Sequence, residues 1–115
     1  MATPDGTDAV IVFTTLETAA AARVLVEHLV EQRIVACGTI VPATTSVYRW
    51  EGTITAASEA LVMLKTTRDR WPALRAAVDH EHPYRVPELL AIPVTDGLPA
   101  YLSWVAAETA AGQSA

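Results

Sequence analysis

The sequence holds a single cysteine, Cys37. Its thiolate is a soft ligand suited to copper(I) or another thiophilic metal. The same side chain also serves as a small buried hydrophobe, and a metal site needs more than one good ligand. His82, in His82-Pro83-Tyr84, offers an imidazole for metal binding or acid–base work. It reads equally as a histidine closing a helix C-terminus. His80 and His82 lack the i, i+4 spacing of a helical metal pair. Glu59 and Lys65 are six residues apart in an alternating stretch, so they share one face, with apolar Leu61 and Met63 between them. They read as strand ends reaching solvent, or as a polar cluster in an intersubunit cleft. In that cleft Lys65 and Arg68 would hold an anion, with Glu88 nearby. Tyr48, Trp50, Tyr84 and Trp104 are candidate cleft walls, although aromatics at such spacings also serve packing.

The element that must position most of these residues is a long hairpin, Ile34 to Thr67. The first arm is rich in Val, Ile, Thr, Tyr and Trp, and the second alternates. Trp50-Glu51-Gly52-Thr53 between them reads as a tight turn. About 14 residues per arm at ~3.3 Å each gives roughly 45 Å, longer than a compact domain of this size. Pro42 and Gly38 offer bending points. Otherwise the arm reaches out to pack on another chain.

Before the hairpin, Ala9–Thr14 is apolar throughout, as in a central strand. Thr14 and Glu17 have capping-box spacing, which predicts a helix over Glu17–Arg33. His28 lies at the edge of its apolar face. After the hairpin, Thr67 or Asp69 caps a second helix reaching about His80, with Pro72 in its first turn. A proline-held loop, 82–88, leads to a strand over Leu89–Val94, which Pro93 marks as an edge. A third helix runs from Pro99 to about Ala110. The order is α+β, βαββαβ with an extra C-terminal helix: a ferredoxin-like arrangement with both main helices on one face of the sheet. Little remains to cover the other face, a second reason to expect an oligomer.

Length indicates one domain, 9–110, between flexible tails at 1–8 and 111–115. A net charge of −5 argues against nucleic acid as the main partner. No apolar run reaches a membrane span, and the N-terminus resembles no secretory signal. With one cysteine, this predicts a cytoplasmic protein. No phosphate loop, HExxH, CxxC or nucleophile elbow is present.

The strings Val35-Ala36-Cys37, Ile40-Val41-Pro42, Thr45-Ser46-Val47-Tyr48-Arg49-Trp50-Glu51-Gly52, Leu64-Lys65-Thr66-Thr67, His82-Pro83-Tyr84, Val86-Pro87-Glu88 and Tyr101-Leu102-Ser103-Trp104 fall in one order and spacing. Together they closely resemble the divalent-cation tolerance protein CutA family, from Ala9 to about Ala107. The resemblance implies a homotrimer like the PII-type signalling proteins, no enzymatic reaction, and a link to tolerance of copper and other divalent cations. It also implies Cys37 and His82 as recurrent candidate metal-ligand positions; as a metal site, the residues themselves would add Glu59 or Glu88 in a shared cleft. The chain departs from the family in having Ala43 where glycine is often found, Gly38 where a bulkier residue is common, and Arg85 at a varied position of the His82-Pro83-Tyr84 loop. A PII-like regulator holding a small anionic metabolite is the alternative function.

Overall fold

The computed structural model describes residues 8–110. Apart from Asp8, the expected tails lie outside the described residues. Strand β1 (Ala9–Leu16) is followed by helix α1 (Ala19–Glu31), the hairpin strands β2 (Cys37–Trp50) and β3 (Thr53–Thr67), helix α2 (Trp71–Glu81), strand β4 (Leu90–Pro93) and helix α3 (Pro99–Glu108). The four strands form one antiparallel sheet in the order β2-β3-β1-β4. β1 has partners on both sides, as its two-faced apolar sequence predicts. The short β4 lies at the edge, where Pro93 costs no ladder bond.

Alternation divides each strand between two faces. Val10, Val12 and Leu16 of β1, with Ala60, Val62 and Leu64 of β3, point into the core. There they meet Leu25, Val26 and Leu29 of α1 and Leu74 and Val78 of α2. The opposite face carries Ile11, Phe13, Leu61 and Met63, each only partly buried. Leu90 and Ile92 continue that face with more than half of their surface exposed. α3 packs on β1 and β3, and its Tyr101 reaches Cys37 at the end remote from the hairpin turn.

Three local expectations are corrected. The Thr14–Glu17 capping box does not form, because β1 runs two residues further and pairs Thr15 with Leu61 and Leu16 with Ala60. Thr18 caps α1 instead, its hydroxyl accepting the Ala21 N–H at 3.0 Å. Neither Thr67 nor Asp69 caps α2. A single 3-10 turn, Arg68–Arg70, intervenes, and the Thr67 hydroxyl bonds the Asp69 carboxylate at 2.5 Å. Ile34–Ala36 is a buried connection rather than the start of the arm.

The hairpin turn is Glu51-Gly52, with φ of 50° and 82°. Two successive positive φ values match the right-handed twist of the strands. The arm gives the molecule its long dimension of 44 Å against 30 and 22 Å. Of the two proposed bending points, only Pro42 interrupts the ladder. Pairing jumps from Val41↔Leu61 to Thr44↔Glu59, leaving one extra residue in β2, and Ala43 there has φ 58°. Gly38 stays in register opposite Leu64. Its missing Cβ makes room for α1: one would lie 2.8 Å from Val26 Cγ1.

Candidate functional site

The bulge decides what the arm presents. Before it, Cys37, Thr39 and Val41 face the side of Lys65, Met63 and Leu61. The extra residue switches parity, so beyond it Thr44, Ser46, Tyr48 and Trp50 face that same side. A regular strand would have turned both aromatics away from Glu59.

Glu59 is only 8% exposed. The Thr44 hydroxyl fixes its backbone by donating to its carbonyl at 2.6 Å. Its carboxylate accepts the Tyr84 hydroxyl at 2.7 Å and further bonds from Ser46 and Thr15. Burial alone would raise its pKa, but these hydroxyl bonds and the nearby His82 outweigh it and hold the group below its ordinary value. Tyr84 responds oppositely. Burial, and donation to an anion, push its pKa well above that of an ordinary phenol.

His82 follows α2, its N–H closing the helix on the Val78 carbonyl at 2.9 Å. Nε2 lies 2.8 Å from the Thr15 carbonyl, which only accepts, so Nε2 carries the proton. Nδ1 then accepts the Tyr84 N–H at 3.1 Å. Burial is the main cause of its lowered pKa, outweighing the opposing pull of the Thr15 bond and of Glu59. The imidazole is therefore neutral and both nitrogens are used. It links the end of β1 to the loop that carries Tyr84, and metal binding through it would break one of these bonds.

Above Glu59 opens a cleft of about 810 Å³ between the hairpin arm and loop 82–88. Tyr48, Trp50 and Tyr84 wall it, and Glu17, Glu59 and Glu88 supply its acids. Arg85 is the one basic residue in the lining and is already engaged. Its guanidinium sits 5.4 Å from the Trp50 ring centroid and 3.6 Å from the Glu51 carboxylate.

The remaining candidates lie elsewhere. Cys37 Sγ is 3.6 Å from the Tyr101 hydroxyl, and Tyr101 packs on Trp104 with ring centroids 5.6 Å apart. Trp104 is thus no wall of the cleft. Lys65 Nζ donates to the Thr39 hydroxyl at 2.5 Å, and Arg68 stands in the turn after β3. Neither cation lines the cleft that holds Tyr48, Trp50, Tyr84 and Glu88. Cys37 pairs with Lys65 and Lys65 with Ile11, whereas His82 bonds Thr15. That separation is about 13 Å along the strand and about 10 Å across it. One subunit does not bring Cys37 and His82 into a shared site. Among the described residues, no group of three His, Cys, Asp or Glu is arranged to hold a metal. His28, expected at a core edge, pairs through Nδ1 with Glu81 and through Nε2 with Gln32, tying α1 to α2.

Thr15, Ser46 and Arg85 join the site without being site candidates in the sequence. Two of them emerge only from strand register: Thr15 lies on the face of Leu61, and Ser46 joins Glu59 only because of the bulge.

Residues 10–108 match the model of the CutA1 divalent ion tolerance protein family. A divalent-cation tolerance protein CutA of Thermus thermophilus is 40% identical over 99 residues, covering 86% of this chain and 96% of that protein. Its Escherichia coli counterpart is also 40% identical over 99 residues, covering 86% and 88%. The crystal structure of CutA from Xylella fastidiosa superposes with a TM-score of 0.87 at 35% identity, covering 90% of this chain and 99% of that one. The chain belongs to the CutA1 divalent ion tolerance protein family.

Proposed function

We propose that the protein acts in divalent-cation tolerance as a non-enzymatic cytoplasmic homotrimer of ferredoxin-like subunits. One observation carries the assembly: the sheet face opposite α1 and α2 is apolar and largely uncovered, from Ile11 and Phe13 to exposed Leu90 and Ile92. Apolar surface continuous over a sheet marks an interaction site, and the arm exposes more on its other face at Val47 and Ile54. The sheet order and the placement of the main helices support the ferredoxin-like reading, and three copies is what the resemblance drawn from the sequence implies. The test is solution mass. Ile92→Glu would place a charge on this face and should reduce the mass to that of one chain. An unchanged mass would exclude the face from the interface.

The candidate cargo is copper or another divalent cation. Cys37 is the soft donor, partly exposed, with its Sγ 3.6 Å from the Tyr101 hydroxyl. Further ligands would have to come from another subunit, since His82 is engaged and remote. Glu59 is a hard oxygen donor, better matched to magnesium-like ions than to copper(I). An anaerobic copper(I) competition titration should show Cys37→Ser binding at least about tenfold more weakly, with an equal affinity removing Cys37 from the site. The regulatory alternative, an anion held by Lys65 and Arg68, draws no support from the acidic cleft.

A further inference from the structure

We propose that the cleft between the hairpin arm and loop 82–88 binds a small organic cation, a primary ammonium on a flat apolar body. Glu59 would be its counter-ion, and Tyr48, Trp50 and Tyr84 its walls. This goes beyond metal tolerance; Glu59, Tyr48 and Trp50 share the sheet face of Leu61 and Met63, so in the proposed assembly the cleft opens beside the contact between copies.

Glu59 is a buried carboxylate whose hydrogen bonds come from the neutral hydroxyls of Tyr84, Ser46 and Thr15. Among the described residues, neither lysine nor arginine forms an ion pair with it. Buried anions are normally matched by a cation, because hydrogen bonds from neutral donors leave the net charge in place. Glu17 and Glu88 add to the negative potential, while Arg85 is drawn off by Glu51 and Trp50. The cleft therefore attracts a positive ligand.

The walls decide which kind of cation. A metal ion demands several oxygen, nitrogen or sulfur donors around one point, and the described residues make no such group here. Aromatic faces instead attract cations carried on apolar bodies. Arg85 over the Trp50 ring is an example within the chain, since that guanidinium occupies the kind of position a ligand cation would take. A cleft of about 810 Å³ lies within the range of small-molecule sites. Its floor is also pre-set. His82 joins Thr15 to Tyr84, and Tyr84 orients the Glu59 carboxylate before anything binds.

The test is a calorimetric titration of the full chain at pH 7 with benzylammonium, beside benzyl alcohol and benzoate of nearly the same shape. Benzylammonium should saturate one site per subunit. The neutral and anionic analogues should bind at least about tenfold more weakly. Glu59→Gln, checked for folding by circular dichroism, should weaken benzylammonium by a similar factor. Trp50→Ala, at the exposed arm, should weaken it by about threefold or more while leaving the fold unchanged. Equal binding of the alcohol, or no saturation up to about 10 mM, would overturn the proposal. So would displacement of benzylammonium by magnesium at equal concentration. If benzylammonium fails to bind and Glu59→Gln lowers the solution mass, the carboxylate serves contact between copies and the cleft is not a ligand site.

Discussion

Two buried groups, His82 and Glu59, set how the protein should respond to acid. Both have folded-state pKa values below their ordinary 6.5 and 4.5. For each, the unfolded chain takes up a proton first as pH falls, so protonation favours unfolding. The His82 contribution is complete above about pH 6.5 and is lost as pH drops below it toward the folded value. The Glu59 contribution is complete above about pH 4.5 and is lost below that. Denaturant unfolding between pH 7 and 4 should therefore show stability falling in two stages, and His82→Gln should flatten the first. Tyr84→Phe removes the short bond to Glu59 and should cost about 1–3 kcal/mol at pH 7, read from the same transitions. An unchanged midpoint would mean that water replaces the hydroxyl without loss. In sequence, His82 is simply a histidine after a helix. Its role becomes visible once β1 and loop 82–88 meet, which no local pattern encodes.

The elements were far more legible than the site. β-branched arms around Glu51-Gly52 define the hairpin, and the apolar stripes of α1 and α2 define the core-facing helices. Termini are ambiguous in sequence where two signals compete. Thr14 and Glu17 have the spacing of a cap, but eight consecutive pairs with β3 keep Thr14 in the strand. Gly38 looked like a hinge and is a contact point. Gly38→Ala should push the new methyl against Val26 and Leu64 and cost about 1–3 kcal/mol in unfolding free energy. Ala43 is the reverse case, an L-residue at φ 58° within the bulge. Ala43→Gly relieves that strain and should stabilise the fold by about 0.5–1 kcal/mol, even though glycine frees the unfolded chain. Loss of stability would show that the Ala43 methyl contributes packing outweighing its backbone strain. The bulge also explains why Tyr48 and Trp50 are recognisable as cleft walls in the sequence while Ser46 is not: aromatics stand out by type, Ser46 only by register.

At the scale of the molecule, a sheet with one face largely uncovered and a hairpin as long as the body are the features on which the proposed assembly rests. The radius of gyration, 14.9 Å, exceeds the roughly 13 Å of a compact chain this long, and the arm accounts for the excess. An uncovered apolar face was foreseeable from the count of helices, whereas the separation of Cys37 from His82 was not. Opposite ends of one sheet look adjacent when only their order along the chain is known. If Cys37 holds a metal as proposed, that separation means its other donors would come from another copy. Static light scattering of the wild-type protein across a dilution series tests this most directly. A mass three times the 12.3 kDa of the chain, held on dilution, is the expected result. A mass of one chain would contradict it and leave the open sheet face without its partner.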